Sequence, residues 1–164
     1  MIHIKTKARP SALAAPHQAA AALLCWALAG CALAQTVDGV PQRLQAITLQ
    51  AGMHNIRAEL ATTPAQRQMG LMYRKDLASH EGMLFIFDEP TPQCFWMRNT
   101  PTPLTITFLS DDGSIVNLAD MKPFDEASHC SAKPVRYVLE MHQGWFAKRG
   151  IKAGFKLVGA PFRP

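Results

Sequence analysis

The stretch from Cys94 to Pro103, with the apolar strand Leu104–Leu109 behind it, constrains this chain most strongly. Its first half carries two aromatic residues and a methionine, and its second half carries an arginine, an asparagine and a threonine beside Pro101 and Pro103. Because proline fixes φ and cannot donate a backbone hydrogen bond, a strand must end at this bend. An apolar wall next to a few polar groups is typical of a small binding site, and equally of a corner in a β-sandwich. Both interpretations stay open.

The first 34 residues have the features of an export signal. Basic residues precede an uncharged apolar segment, Ala19–Leu33, and Ala32-Leu33-Ala34 offers the small residues that signal peptidase recognises. The apolar segment is shorter than the roughly 20 residues that a membrane span needs, although a permanent anchor is the alternative. We therefore expect residues 1–34 to be a cleaved signal peptide, Gln35 to be the mature N terminus, and the mature chain to have no transmembrane span.

A second cleavage site overlaps the first. Leu28-Ala29-Gly30-Cys31 resembles the lipobox of bacterial lipoproteins, in which the cysteine is acylated and becomes the first residue. Acylation would hold the protein on a membrane surface, because the methylene groups of a lipid chain favour the bilayer. The sequence thus predicts a periplasmic or secreted protein, with a lipoprotein anchored through Cys31 as the alternative.

The charge of the mature chain excludes one class of partner. The full sequence has a net charge of +5, and removal of the three basic residues in positions 1–34 lowers it to +2. No run of lysine and arginine is dense enough to follow a phosphate backbone, so we expect no nucleic-acid partner. The remaining 130 residues suffice for one domain with a hydrophobic core.

Only two of the four cysteines, Cys94 and Cys130, lie beyond the export segment. An exported protein folds in an oxidising compartment, so this pair predicts a disulfide bond. A metal-binding pair or a catalytic thiol is the alternative, but neither cysteine has the close ligand spacing of a C-x-x-C motif. We expect a disulfide and no metal site.

Short segments of alternating or continuous apolar residues predict a mainly β domain. Gly82–Phe87 is apolar on both faces and predicts a central strand, with Cys94–Met97 pairing beside it. The other predicted strands are 43–49, 55–61, 104–109, 114–118, 135–141 and 155–158, with hairpin turns at 50–52 and 111–113 and a long loop at 122–133.

Two short helices complete the predicted domain. Thr62–Gln66 combines an N-cap threonine, a first-turn proline and a capping-box glutamine, and Gly144–Gly150 fits one or two helical turns ended by glycine. We expect a flexible lead-in over residues 35–42 and a single domain over residues 43–164. Its fold class is mainly β (α+β), a compact antiparallel β-barrel or sandwich with two short helices.

Several segments, in consecutive order from about Arg57 to Leu157, resemble the domain of unknown function 192 family, a set of small, often exported prokaryotic proteins. The segments are Arg67–Met72, Glu81–Phe87, Phe95–Thr100 with Pro103, Asp112-Gly113, Tyr137–Glu140, and Gly144-Trp145 with Gly150–Lys152. The resemblance implies a compact, mostly β fold with small helices, and it brings no established activity, substrate or catalytic residue. The chain departs from the family at Leu104-Thr105-Ile106, where relatives usually have Leu-Asp-Ile, so that position has no acidic group here.

The candidate ligand-binding residues are Arg67, Trp96, Arg98, Asn99, Thr100 and Glu140. Charged groups beside apolar strands must be paired or must face a ligand. In the structural interpretation, Glu140 pairs with an arginine while Asn99 or Thr100 caps backbone groups at the bend. In the functional interpretation, Arg98 and Asn99 point into a pocket and bind an anionic or sugar-like ligand through directional hydrogen bonds.

Methionine and histidine residues suggest a copper site as a further interpretation, because thioether and imidazole groups suit copper in an oxidising compartment. Methionine also fills irregular small cores. These residues are Met69, Met72, Met83, Met97, Met121, Met141, His54, His80, His129 and His142.

The sequence lacks the common catalytic signatures, such as the G-x-S-x-G elbow, the H-E-x-x-H helix and the glycine-rich phosphate loops. We therefore expect a non-catalytic ligand-binding or interaction module, with an unknown small molecule or protein as its partner and no cofactor. The alternatives are a small periplasmic enzyme that uses Arg98, Asn99 and Glu140, and a copper or other metal-handling protein.

Overall fold

The computed structural model describes residues 39–162 of the chain. The predicted signal peptide, both cleavage sites and residues 35–38 of the predicted lead-in lie outside the described residues. Within residues 39–162, no helix combines the length and the apolar character that crossing a membrane requires.

The domain is mainly β, as predicted, and its centre is a six-stranded sheet in the order β1-β2-β3-β8-β5-β6. The elements are β1 (Ala46–Ala51), β2 (His54–Ala61), α1 (Pro64–Met69), β3 (Glu81–Thr91), β4 (Cys94–Phe95), β5 (Leu104–Leu109), β6 (Ile115–Met121), β7 (His129–Cys130), β8 (Val135–His142) and a 3₁₀ turn (Ala147–Arg149). Neighbouring strands of this sheet are antiparallel except β2 and β3, which are parallel. The crossover between β2 and β3 carries α1.

The strand order leaves β1 and β6 as the two edges, so strand pairing does not close the sheet into a barrel. The predicted strand at 155–158 forms only isolated bridges, from Lys156 to Ser114 and from Val158 to Gln50. This segment therefore joins the ends of both edge strands without adding a strand between them. The predicted second helix is a single 3₁₀ turn, ended by Gly150 in the left-handed conformation.

The two faces of the sheet pack against different cores. On one face, residues from β1, β2, β8 and the C-terminal segment surround Trp145, Phe146 and Leu157. On the other face, Phe85, Ile106 and other apolar residues pack under Leu71 and Met97. The second face positions the candidate site.

The pairing predicted for Cys94–Met97 is wrong, because both edges of β3 are already occupied by β2 and β8. The short strand β4 instead pairs with β7, which lies inside the segment predicted as a long loop. Cys94 and Cys130 are directly opposed in this two-stranded ribbon, with Cα atoms 4.1 Å apart, and they form the predicted disulfide.

Candidate functional site

A cleft of about 640 Å³ opens over the second face of the sheet. One wall is the segment 65–73, which contains the end of α1, and the opposite wall is the bend 93–100. Strands β3 and β8 contribute Phe85, Phe87 and Glu140. All six residues predicted as ligand-binding candidates line this cleft: Arg67, Trp96, Arg98, Asn99, Thr100 and Glu140. The structure therefore brings together side chains that are 73 positions apart in the sequence.

Glu140 lies in the apolar floor of the cleft and is only 4% exposed. It stands between Met83 on β3 and Ile106 on β5, which are its direct cross-strand neighbours. No ion pair of residues 39–162 includes Glu140, so the predicted pairing with an arginine is not present among them. Burial raises the pKa of the Glu140 carboxyl group to about 8.

Gly82 allows β3 to approach β8 closely beside Glu140. A Cβ atom at this position would lie 2.3 Å from the carbonyl oxygen of Glu140 and 2.4 Å from the sulfur of Met141. Real side chains do not tolerate such distances, so a larger residue would displace β8 at the floor of the cleft. The glycine in the apolar segment Gly82–Phe87 thus has a specific role in positioning Glu140.

The bend that carries the polar residues is a tight turn from Met97 to Thr100. The N–H of Thr100 donates to the carbonyl oxygen of Met97 at 3.0 Å, and Asn99 has a φ of 57°. Asparagine tolerates this left-handed conformation better than most residues. The carbonyl oxygen of Asn99 accepts a hydrogen bond of 2.8 Å from the N–H of Tyr73, whose φ is 64°. Asn99 therefore has a backbone role that links the two walls, in addition to presenting an amide side chain.

Trp96 and Met97 point in opposite directions, as neighbouring residues of an extended segment do. Met97 is fully buried in the core, whereas Trp96 is 46% exposed at the cleft. The guanidinium carbon of Arg98 lies 5.7 Å from the centroid of the Trp96 ring, in a cation–π contact. None of the ion pairs in the described part of the chain involves Arg98. Its exposed guanidinium group is therefore available to an anion.

Arg67 has a different role from Arg98, although both line the cleft. Its Nη1 atom donates to the carbonyl oxygens of Thr62 at 2.5 Å and Ile86 at 2.8 Å. Its guanidinium group also packs over Phe87, 4.9 Å from the ring centroid. Arg67 thus ties α1 to β3 and has fewer donors left for a ligand.

A buried ion pair fixes the wall that contains Tyr73. Arg74 is fully buried and donates two hydrogen bonds to the carboxylate of Glu59 from Nη1 and one from Nη2, at 3.1 to 3.2 Å. The side chain of Gln42 donates to the carbonyl oxygens of Gln66 and Gly70 at the end of α1, both at 2.9 Å. These residues are not among the candidates predicted from the sequence, because charged and amide groups far apart in the chain give no local signal of their pairing.

The opposite wall is fixed by the loop that follows β6. The N–H of Met97 donates to the carbonyl oxygen of Asp125 at 2.7 Å, and the Cys94–Cys130 bond joins the same two segments. Both walls are therefore held by contacts outside the cleft. Such support limits the entropy that the cleft residues lose when a ligand binds.

Most of the described methionine residues lie in the cores or at the cleft, whereas Met53 is exposed. Met83, Met97 and Met121 are buried under the cleft, while Met141 is buried on the other face. Met69 and Met72, two thioethers with an M-x-x-M spacing, line the cleft. Within residues 39–162, no three His, Cys, Asp or Glu side chains gather in a way that could hold a metal ion.

Thr105, which occupies the position of the family's usual aspartate, does not face the cleft. Ile106 faces the core under the cleft, so the neighbouring residue points to the other face of the sheet. The hydroxyl of Thr105 donates to Asp120 at 2.5 Å and accepts from the N–H of Gly144 at 3.0 Å. The threonine at this position, where relatives usually have aspartate, therefore does not alter the lining of the cleft.

Several lining residues were missed by sequence analysis as site candidates. They are Gln68, Tyr73, Phe87 and Gln93, together with Met69 and Met72 in their role at the cleft. The family-like segments Arg67–Met72 and Glu81–Phe87 contain or adjoin most of them. That clustering is the one sequence signal that could have found them.

The fold and the cleft define a small β domain with an open sheet and a rigid, aromatic-lined cleft. The sequence profile of the domain of unknown function 192 family, described as "Uncharacterized ACR, COG1430", matches residues 46–159. The chain belongs to this family.

Several solved structures are similar to this chain, among them the following two. A protein from Sinorhizobium meliloti 1021, described as a proposed transcription regulator, is 38% identical, with a TM-score of 0.67 over 74% of this chain and 97% of that one. A protein of unknown function from Novosphingobium aromaticivorans DSM 12444 is 37% identical, with a TM-score of 0.68 over 74% of this chain and 94% of that one. Among curated proteins, none matches significantly.

Proposed function

We propose that this protein is an exported, non-catalytic ligand-binding module whose cleft binds a small organic anion. The observation that carries the proposal is the guanidinium group of Arg98, which is exposed at the cleft, stacked on Trp96 and free of any ion pair with another described residue. Arginine presents a planar set of N–H donors that matches a carboxylate or phosphate group.

The composition of the cleft supports a ligand that is partly apolar. The cleft has a volume of about 640 Å³, within the range of roughly 300 to 1,000 Å³ that is usual for small-molecule sites. Trp96, Phe87 and Phe95 offer aromatic surface near the arginine, and Asn99 adds an amide group. An apolar lining with a few directional polar groups is the usual composition of such a site.

The disulfide supports the exported location that we propose. Cys94 and Cys130 are both exposed, and an exposed disulfide persists in an oxidising compartment but rarely in the cytosol. We propose release at Gln35 into the periplasm or medium, with lipid attachment at Cys31 as the alternative.

The proposal is tested with benzoate and its neutral analogue benzamide, added separately to the ¹⁵N-labelled protein and followed by NMR. We expect benzoate to bind and benzamide to bind about tenfold more weakly, because a single charge-assisted pair contributes about 1.5 to 3 kcal/mol. Arg98→Gln should remove the preference for benzoate.

Arg149→Gln provides the matched control. Arg149 also packs on a tryptophan, 4.2 Å from the Trp145 ring centroid, but it does not line the cleft. The control variant should bind benzoate like the unchanged protein. Equal binding of benzoate and benzamide, or equal loss of benzoate binding in both variants, would show that Arg98 does not recognise an anion.

A further inference from the structure

Among residues 39–162, Glu140 is the only acidic residue that lines the cleft, and it lies on the floor rather than at the rim. Its cross-strand neighbours, Met83 and Ile106, are apolar and fully buried. The two other charged residues that line it in the described part of the chain, Arg67 and Arg98, both carry positive charge. The structure thus places a single carboxyl group at the inner end of a cleft whose remaining charge is positive.

We propose that Glu140 is the hydrogen-bond donor for the inner end of the ligand, which therefore carries an uncharged oxygen acceptor such as an amide or ketone carbonyl. The inference rests on the proposed function, in which Arg98 binds the anionic end of the same molecule. The ligand class is then a two-ended organic acid, with its acceptor group held apart from its carboxylate or phosphate.

The protonation state of Glu140 supports this assignment. Because burial raises the pKa of this carboxyl group to about 8, it is mostly protonated at neutral pH. A protonated carboxyl group presents an O–H donor, whereas a carboxylate only accepts. An amine at the inner end would require Glu140 to ionise in an apolar floor and would enter a cleft that already contains two arginines.

Several other ionisable groups lie on this side of the sheet. On β2, Glu59 lies beyond Met83 in the same row and is held by Arg74. The groups that face the cleft or the adjacent rows are Arg57, Glu59, Tyr73, Arg74, Glu81, Arg67, Arg98 and His142. None of them pairs with Glu140 within the described part of the chain, so the charge of Glu140 is free to change with pH or ligand.

The inference is tested with three related probes: benzoate, para-acetamidobenzoate and para-aminomethylbenzoate. Dissociation constants are measured by NMR at about pH 6.5 and about pH 9, on either side of the raised pKa. We expect the acetamido compound to bind about fivefold or more tightly than benzoate at the lower pH, because it adds one hydrogen bond, and to lose this advantage at the higher pH.

Glu140→Gln keeps a hydrogen-bond donor but removes the ionisable group, since an amide side chain donates a hydrogen bond and does not ionise. This variant should keep the advantage of the acetamido compound at both pH values. Glu89→Gln, at an exposed position outside the cleft, is the matched control and should behave like the unchanged protein.

The outcomes distinguish the two proposals. Binding of benzoate without any gain from the acetamido group overturns the role of Glu140 and leaves the anion site intact. Tightest binding of the aminomethyl compound, lost in Glu140→Gln, shows instead that Glu140 is a carboxylate partner for a cation. Failure of all three probes to bind removes the proposed function together with the inference. The pH dependence in the unchanged protein suffices for the test if Glu140→Gln does not fold.

Discussion

Replacing Glu140 with glutamine should stabilise the fold at alkaline pH, because it removes the ionisable group while keeping a hydrogen-bond donor at the floor of the cleft. The folded protein holds the Glu140 proton up to a pKa of about 8, whereas the unfolded chain releases it near the ordinary glutamate pKa of 4.5. Between these values the folded state binds one more proton than the unfolded state, so the free energy of unfolding falls as pH rises. Below the unfolded pKa, this contribution to stability is fully present. Because glutamine is uncharged at every pH, the Glu140→Gln variant lacks this dependence of stability on pH.

The size of the effect follows from the difference between the two pKa values. A difference of about 3.5 pH units, at about 1.4 kcal/mol per unit, gives an upper limit of about 5 kcal/mol above pH 8. Small domains have a total stability of about 5 to 15 kcal/mol, so the change is large enough to measure. We expect Glu140→Gln to be about 3 to 5 kcal/mol more stable than the unchanged protein at about pH 9, and similar to it at about pH 4.

Urea denaturation followed by tryptophan fluorescence gives the free energy of unfolding of both proteins across this pH range. Glu89→Gln, the exposed control, should reproduce the pH dependence of the unchanged protein. The reasoning is refuted if Glu140→Gln has the same pH dependence as the unchanged protein, because Glu140 would then titrate equally in the folded and unfolded states. A buried ionisable residue that lowers the free energy of unfolding to this extent is characteristic of a functional site.

Three further predictions concern the support of the cleft and the maturation of the chain. Replacing both Cys94 and Cys130 with alanine removes a bond that closes a loop with a sequence separation of 36. Urea denaturation should therefore show a free energy of unfolding that is lower by roughly 3 to 4 kcal/mol. A loss below about 1 kcal/mol would contradict this prediction. Arg74→Met should cost about 3 to 5 kcal/mol, because the buried Glu59 then keeps only the N–H of Leu44 and the half-exposed Arg57, 3.9 Å away, as partners. The double variant with Glu59→Met should recover most of that loss, and no recovery would show that the pairing is not the cause. Intact-mass measurement of exported protein should give an N terminus at Gln35, whereas a diacylated product would establish the lipoprotein alternative.

Features with local signals were predicted well from the sequence. The capping box of α1 was predicted from Thr63 and Gln66, and the structure contains both of its hydrogen bonds. The hairpin between β1 and β2 and the central position of β3 also follow from short segments of the sequence. In each case, the residues that determine the structure are neighbours in the chain or belong to a single apolar segment.

Apart from the Cys94–Cys130 disulfide, which the presence of only two cysteines beyond the export segment indicated, features that depend on distant partners were not predicted. The parallel pairing of β2 with β3 leaves no free edge for β4, and nothing near Cys94 indicates this. Polar groups beside apolar strands were enough to identify the candidate residues. They did not show which of these residues support the structure and which are available to a ligand. Arg67 and Arg98 look equivalent in sequence, and only the carbonyl oxygens around Arg67 distinguish a structural arginine from an available one.

The central claim is that the cleft between segments 65–73 and 93–100 is where this protein binds its ligand. Backbone amide shifts of the ¹⁵N-labelled protein, recorded during a titration with benzoate, test the claim directly. We predict that the largest changes occur at Trp96–Thr100 and Met69–Tyr73, and that the indole N–H of Trp96 shifts with them. Changes centred elsewhere, for example on the β1–β2 hairpin from Ala46 to Ala61, or scattered changes without saturation, would contradict the account.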